Sequence, residues 1–449
     1  MSVELLRAWE HTRRRHGARP AVAQAGDDRV CTFAELDRGA AAWLAAHAGP
    51  GTLAGRTVVF SAPNGIGWFE LLLGLLRAGA VAVPLDAAEP PAAQRALAAA
   101  LGAACWWDGS RLEALPGSRR IRDRGVCLIK LTSGTTGKPR PLAFTAAQLL
   151  ADTGQIAATM GIRSGDLNYA LIPLGHSYGL GNLALPLIAR GVPLVCGSAP
   201  LPHAIFRDFV RWRPTVFPGV PALWRALALS GPEPASLASL RLAISAGAPL
   251  SPETARDFAA RFGRRLHNFY GSSETGGIAF DRSGASTLGG GVGRALRGVR
   301  ISRLAGQRIR VCSPAVCTHS NRRRSGRLGC WTLPDRVEFG ARGELRLSGR
   351  RGQSVKLGGR RANLAEIEAR LRRLGGVRDA WIDLSPGAHA VLGAALATER
   401  GVAELRAELL ADTATWKIPK KWLLLPSLPL TARGKVDGRA LTVRLFGPA

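Results

Sequence analysis

Short apolar runs alternating with longer amphipathic ones leave this chain few folds to choose from. RTVVFSA (56–62), VAVPLD (81–86), VCLIKL (126–131), NYALIPL (168–174), VPLVCG (192–197), PTVFPGV (214–220) and LRLAISA (240–246) are each rich in Val, Ile, Leu and Ala. Runs without a polar face suit strands buried on both sides, as in parallel sheets covered by helices. Between them, TFAELDRGAAAWLAAHA (32–48) opens on a Thr32-x-x-Glu35 capping box, and WFELLLGLLRAG (68–79) has helical spacing and ends at Gly79. Strand, loop and helix repeated in this way predict parallel α/β layers. Ligands of such sheets bind at the carboxyl ends of strands, in the loops that lead into helices.

That rule gives LTSGTTGKPR (131–140) a place, because it begins at the carboxyl end of the strand VCLIKL. Gly134 and Gly137 free backbone N–H groups to point at an anion, Thr132, Ser133, Thr135 and Thr136 add hydroxyls, and Lys138 and Arg140 add charge. The segment reads as a phosphate cradle. It is not a Walker loop, since Thr132 stands where the first glycine belongs and Pro139 follows the lysine where Ser or Thr would bind magnesium.

Composition bounds the rest. A chain of 449 residues exceeds one ordinary domain, and 46% hydrophobic content supplies real cores. The net charge of +29 would suit a nucleic-acid partner, but arginines are scattered from Arg7 to Arg444 without a long basic tail, which favours a solvated arginine-rich surface and no nucleic acid. Lysines number only seven, so each one draws notice: Lys130, Lys138, Lys356, Lys417, Lys420, Lys421 and Lys435. Seven cysteines, mostly far apart, do not read as a disulfide framework. No signal peptide is evident in MSVELLRAWEHTRRRHG, and the apolar stretch FELLLGLLRAGAVAVPL is broken by Arg77 and closed by Pro84, so no membrane span is expected. A cytoplasmic enzyme is the natural expectation.

The loop at 131–140 resembles the signature loop of the adenylate-forming superfamily, which includes acyl- and aryl-CoA ligases, carrier-protein-loading adenylation domains and luciferases. Further motifs follow in the family's order: AISAGAPLSPE (243–253), NFYGSSETGG (268–277), VGRALRGVRI (292–301), GELRLSGRRGQSVKLGGRRANLAEIE (343–368) and LPLTARGKVDGRAL (428–441). The resemblance runs from about Thr32 to Leu441. It implies a large N-terminal domain (1–349) of layered α/β subdomains with a small distorted β-barrel, followed by a small α+β C-terminal lid domain (350–449). By the same resemblance Gly247, Ala248 and Pro249 border the adenine, and Asn268, Phe269, Tyr270 and Gly271 belong to the nucleotide site, with Tyr270 stacking on the base. Glu274 would hold Mg²⁺, Thr275 would touch the α-phosphate, Asp335 and Arg350 would take the ribose hydroxyls, and Lys435 would be the catalytic lysine.

Those residue types suit the chemistry. A carboxylate, ionised at neutral pH, needs no base to attack; it needs a better leaving group than hydroxide, which ATP supplies. Two anions must then be brought together, so positive charge is required where negative charge develops. The implied activity is ATP-dependent formation of an acyl-adenylate, with release of pyrophosphate and transfer to a thiol. The acceptor is coenzyme A or the phosphopantetheine of an acyl carrier protein, and a basic surface suits either.

Departures from the family pattern mark points of interest. Leu333-Pro334 replaces the usual Thr-Gly before Asp335, Gly352 occupies the hinge position that is typically Asp or Lys, and Pro141 and Ala146 replace a customary glycine and histidine. Glycine absorbs large φ/ψ changes, so a hinge role survives. Lys356 and Gly359 would lie on the surface presented in the thiol half-reaction. IPLGHSYGLGN (172–182) stands where the acyl pocket is expected, with His176, Tyr178 and Gly181 on one wall and Val220 and Trp224 on another. Tyr-Gly-Leu-Gly-Asn is similar to benzoate-type ligases, and this stretch has no Asp to anchor an ammonium group, which favours a fatty or aromatic acid. For Tyr178 and Trp224 ordinary core packing competes with pocket lining. Cys312, Cys317, His319 and Cys330 fit no common zinc spacing. A single helix-like stretch, PPAAQRALAAALGAACWW (90–107), fills a region that is longer in the family. Such compactness raises a second class, a degenerate member that binds nucleotide or a partner without completing catalysis; retention of Glu274, Asp335, Arg350 and Lys435 argues against it.

Overall fold

The computed structural model describes residues 3–116, 120–121, 125–132, 140–230, 234–305, 308–317, 324–325, 328–350, 354–357, 360–385, 391–411, 413, 415–431 and 434–447. Two large sheets dominate. The first has six strands in the order Leu112–Ala114, Cys105–Trp107, Thr57–Ser61, Val81–Leu85, Val126–Thr132, Arg140–Thr145. The second has nine, in the order Arg294–Ala295, Gly276–Phe280, Leu266–Ser272, Leu242–Ser245, Val216–Gly219, Asn168–Ala170, Leu194–Cys196, Pro20–Gln24, Val30–Thr32. Its six middle strands, Leu266–Ser272 through Pro20–Gln24, are mutually parallel, and antiparallel strands close both edges.

Burial on both faces explains the unbroken apolar runs. In Thr57–Ser61, Val58 and Phe60 enter one core while Val59 enters another, and Ala82 is likewise separated from its neighbours Val81 and Val83. The first of these cores fills the space between the sheets: Val58, Phe60 and Leu128 from the six-stranded sheet meet Val22, Ala170 and Leu194 from the nine-stranded one. Helices Val3–His16, Phe33–His47, Ile66–Arg77, Ala146–Met160 and Leu185–Arg190 contribute to the same core. Ile66–Arg77 is buried on almost every face, from Trp68 and Phe69 to Leu76. Helices Pro202–Trp212, Pro221–Leu229 and Pro252–Phe262 cover the far side of the nine-stranded sheet, against Tyr169, Val195 and Phe217.

The C-terminal third changes style. A five-stranded antiparallel sheet, built from Arg300–Arg303, Arg308–Ser313, Arg324–Ser325, Leu328–Phe339 and Leu345–Arg350, stands where the small barrel is expected. Next come a two-stranded hairpin, Ser354–Leu357 with Arg360–Asn363, and a three-stranded sheet, Asp379–Leu384, Leu392–Ala397 and Lys421–Leu425. Helices Leu364–Leu371, Val402–Leu410 and Gly438–Phe446 pack on that last sheet through Ile367, Leu405 and Leu441. Strands and helices here form a small α+β unit at the C-terminal end of the described residues.

Two local expectations change. The stretch 90–107 is a helix only over Pro91–Ala100; Gly102 turns the chain with φ 63°, and Cys105–Trp107 joins the sheet beside Thr57–Ser61. Aromatic residues suit a half-buried pleated surface better than a helix end. Cys312 and Cys330 are joined in a disulfide, because strand register makes them direct cross-strand partners. Their spacing of 18 residues along the chain held no hint of that register.

The capping box forms as read. Thr32 accepts from Glu35 N at 3.2 Å, and Glu35 returns a bond to Thr32 N at 2.8 Å, so two otherwise orphaned N–H groups are satisfied. Thr32→Ala removes the first of these bonds and should lower stability by about 1 kcal/mol. Urea unfolding will show this as a lower midpoint that Thr32→Ser restores, and an unshifted midpoint would show that this cap contributes nothing.

Candidate active site

Register gathers the predicted residues at one edge. In the nine-stranded sheet Ser245 is level with Gly219 on one side and with Asn268 on the other. The segments that leave those strands at their carboxyl ends therefore emerge side by side: Val220, Ala246–Pro249 and Ser273–Thr275. A Cβ placed on Gly247 would lie 3.7 Å from Val220 Cγ1.

Tyr270 reaches across to the antiparallel sheet. Its hydroxyl donates to Asp335 Oδ2 at 2.9 Å, both residues are buried, and Asp335 is the cross-strand partner of Arg350. The three residues expected at adenine and ribose thus meet at one place, with the backbone alone fixing where Arg350 stands. Asn268 and Phe269 are adjacent but turned inward. Asn268 Nδ2 donates to Gly291 O at 2.9 Å, and the Phe269 ring packs 6.0 Å from Tyr178, so both side chains serve the core and are corrected from nucleotide contacts.

Glu274 sits half-exposed on the turn after Ser272, where Cys317 N donates to its carbonyl at 2.8 Å. Thr275 is buried, and its hydroxyl bonds within the turn to Ser272 Oγ at 3.0 Å and Gly276 O at 3.2 Å. Among the described residues no group of three or more His, Cys, Asp or Glu could cage a metal. A single carboxylate is a donor set that fits Mg²⁺, which keeps waters and takes substrate phosphates as its other ligands. Cys312 and Cys330, linked in their disulfide, are not available as ligands.

The acyl-pocket candidates divide. His176 Nε2 lies 2.9 Å from Asp86 Oδ2, and Asp86 is buried at the carboxyl end of Val81–Leu85 with its other oxygen accepting from Ala88 N at 3.0 Å. Ser177 Oγ donates to Ser273 Oγ at 2.9 Å, which ties the pocket segment to the turn carrying Glu274. Tyr178 points its hydroxyl at Gly219 O (3.3 Å) and Ile244 O (3.4 Å); burial pushes its ionisation well up, so it stays a neutral donor. Gly181 is buried in a π-helical turn, Leu180–Ala184, and faces Asp152. Trp224 is also corrected: it is fully buried, donates to Ile244 O at 3.1 Å and stacks among Phe217 and Phe258, so it offers no surface to an acid.

Lys435 lies exposed in a turn closed by Thr431 N to Lys435 O at 2.7 Å, with Gly434 at φ 67°. A Cβ on Gly434 would lie 3.1 Å from Val220 Cγ2, so this turn borders the same edge. Thr132, at the end of its strand, pairs with Arg140 and brackets the phosphate-loop segment. Ser133, Gly134, Thr135, Thr136, Gly137 and Lys138 lie outside the described residues, as do Gly352 and Gly359. Lys356 is described as backbone in Ser354–Leu357. Sequence reasoning missed Asp86 and the Ser177–Ser273 contact; the signal for Asp86 was available, an Asp at the carboxyl end of a parallel strand.

Layered parallel sheets, an antiparallel sheet and a small α+β unit make up a fold that solved adenylate-forming enzymes share. The chain belongs to the AMP-binding enzyme family, whose model matches residues 9–108 and 107–305. It is 29% identical over 349 residues to the 2-hydroxy-7-methoxy-5-methyl-1-naphthoate–CoA ligase of Streptomyces carzinostaticus, covering 71% of this chain and 62% of that protein. To the benzoate–CoA ligase of Thauera aromatica it is 28% identical over 346 residues, covering 69% and 64%. The chain thus aligns with less than two thirds of the length of either relative. ATP-bound MatB from Rhodopseudomonas palustris shares the fold, with a TM-score of 0.79, 21% identity, and coverage of 97% of this chain and 98% of that one.

Removing the hydroxyl of Tyr270 leaves Asp335 buried without that donor. Tyr270→Phe should weaken ATP and AMP binding roughly fivefold, the equivalent of about 1 kcal/mol. Calorimetric titration checks this, and unchanged affinity would separate Asp335 from the nucleotide.

Proposed function

We propose that this protein activates a carboxylic acid with Mg·ATP to an acyl-adenylate and then transfers the acyl group to a thiol, with coenzyme A as the acceptor. The observation that carries the reading is the meeting of Tyr270, Asp335 and the Arg350 backbone at the edge that also holds Glu274 and the Lys435 turn. A purine nucleoside needs an aromatic face and an acceptor for its ribose hydroxyls; Tyr270 and Asp335 offer both, locked to each other.

In this reading the substrate carboxylate oxygen attacks the α-phosphorus and the bond to the pyrophosphate oxygen breaks. Glu274 would hold Mg²⁺, which would supply charge neutralisation to the triphosphate. Lys435 meets the negative charge that develops on the reacting oxygens, and the donors of segment 132–140 hold the leaving pyrophosphate. Tyr178 and the Asp86-anchored His176 shape and orient the acid. In the second step the thiol sulfur attacks the acyl carbonyl, a carbon–sulfur bond forms and AMP leaves. Gly352, Lys356 and Gly359 belong to the surface presented for that step. The acid is aromatic or fatty, a choice supported by the naphthoate- and benzoate-activating relatives. The setting is the cytoplasm, and among the described residues no helix is long and apolar enough to cross a membrane.

The test is pyrophosphate release from Mg·ATP across benzoic, hydroxycinnamic, fatty and amino acids, with coenzyme A, a phosphopantetheinylated carrier protein, or neither. Release with an aromatic or fatty acid, stimulated by coenzyme A, is the expected result. Stimulation by the carrier protein alone would move the acceptor, and silence in folded, ATP-binding protein would favour the degenerate binder. Lys435→Ala should cut adenylate formation roughly 100-fold while ATP affinity stays near the parent value, because the lysine acts on developing charge. Full adenylation by that variant would remove Lys435 from the chemistry.

A further inference from the structure

Lys130 is a buried charge near the edge, and none of the steps above uses it. It lies on the strand that feeds the phosphate-loop segment and is only 4% exposed, with Nζ 4.0 Å from Asp152 Oδ2 and 4.4 Å from the centre of the Phe144 ring. Asp152, equally buried, comes from the helix Ala146–Met160. Its other oxygen, Oδ1, accepts from Gly277 N at 2.9 Å, three residues beyond Glu274. Gly276 turns with φ 70°, and a Cβ there would fall 2.2 Å from Asp152 Oδ1. The turn is therefore seated on the carboxylate, which fills the space where a side chain would be.

We propose that Lys130 and Asp152 are a positioning pair that fixes the magnesium-binding turn, Glu274–Gly277, against the strand leading into the phosphate loop. The proposal rests on the nucleotide-activating reading. The turn is held at both flanks, by Cys317 N on Glu274 O at 2.8 Å and by Asp152 on Gly277 N. A carboxylate is the strongest acceptor for that N–H, but a bare negative charge beneath a triphosphate would repel the ligand. Lys130 cancels it. Burial pushes the Lys130 ammonium down and the Asp152 carboxyl up, each opposed by the other's charge, and the pair is neutral as a whole whichever partner holds the proton. Stability does not require such a pair, since two well-packed apolar side chains hold a core as well as a buried ion pair does. What they cannot do is accept from Gly277 and span two structural elements in one fixed geometry.

The experiment compares the parent with Asp152→Asn and with the double variant Lys130→Met/Asp152→Leu. Three quantities are read: the Mg²⁺ concentration for half-maximal pyrophosphate release, the KM for the acid, and deuterium uptake at residues 273–278 in the unliganded chain relative to the helix Gly438–Phe446. We expect the magnesium requirement to rise about tenfold in Asp152→Asn and further in the double variant, with faster uptake at 273–278 and an unmoved acid KM. A folded double variant with the parent's magnesium requirement and uptake overturns the assignment. If the double variant does not fold, the nearly isosteric Asp152→Asn decides on the same readings. A parent that releases no pyrophosphate defeats the functional reading instead, and the uptake comparison then judges the positioning pair alone.

Discussion

Strands buried on both faces have nowhere to put a polar side chain except at their ends. The six-stranded sheet and the parallel body of the nine-stranded sheet are under this constraint, because helices fill the space between them and cover their outer sides. Polar chemistry is thereby expelled to the carboxyl-end loops. Asp86, Val220, Ala246–Pro249 and the Glu274 turn all stand at such ends, and the candidate site follows from how the layers are packed. Two interior polar pairs show how such groups are accommodated: Tyr169 with Asp208 at 2.8 Å, and Lys130 with Asp152.

The fold was legible because its signals are local. Apolar runs marked the strands, Thr32 and Glu35 marked a helix start, and Gly79 marked the turn just past the helix ending at Arg77, one residue beyond its cap. The candidate site was legible only through motifs. Residues that share a motif need not share a job: Asn268 and Phe269 precede Tyr270 on one strand, yet Asn268 is tied to Gly291 and Phe269 packs on Tyr178 while Tyr270 reaches Asp335. Trp224 and Val220 likewise lie one helical turn apart, and only Val220 remains at the edge. Contacts between distant segments could not be read at all. The Cys312–Cys330 pairing depends on register, and the bond between His176 and Asp86 joins residues 90 positions apart.

The charge excess resolves into two populations. Arginine forks are matched to carboxylates where the fold needs a tie: Arg241 grips Asp166 with two bonds, at 2.6 and 2.5 Å, and Arg372 bridges Glu368 and Asp379. Exposed pairs such as Arg378 with Glu399 add little stability. With 61 Lys and Arg side chains against 32 Asp and Glu, basic groups outnumber acids and give the surface a positive field. Screening confines that field to about 10 Å at ordinary salt, so it bears on the approach of anionic substrates and not on the chemistry once they are bound.

Lysine is reserved for a different use. Arginine stays charged and presents a rigid planar fork; lysine offers a compact charge on a flexible stem, suited to a single point. Lys435 stands in a glycine-bearing turn beside Val220, where a long side chain can extend toward reacting oxygens. Lys130 is held between Phe144 and Asp152 in a packed interior. In a chain that otherwise prefers arginine, these two lysines mark opposite sides of one electrostatic problem. In the proposed mechanism one meets charge that appears during reaction, and in the proposed positioning pair the other offsets the carboxylate on which the turn at Glu274 is seated.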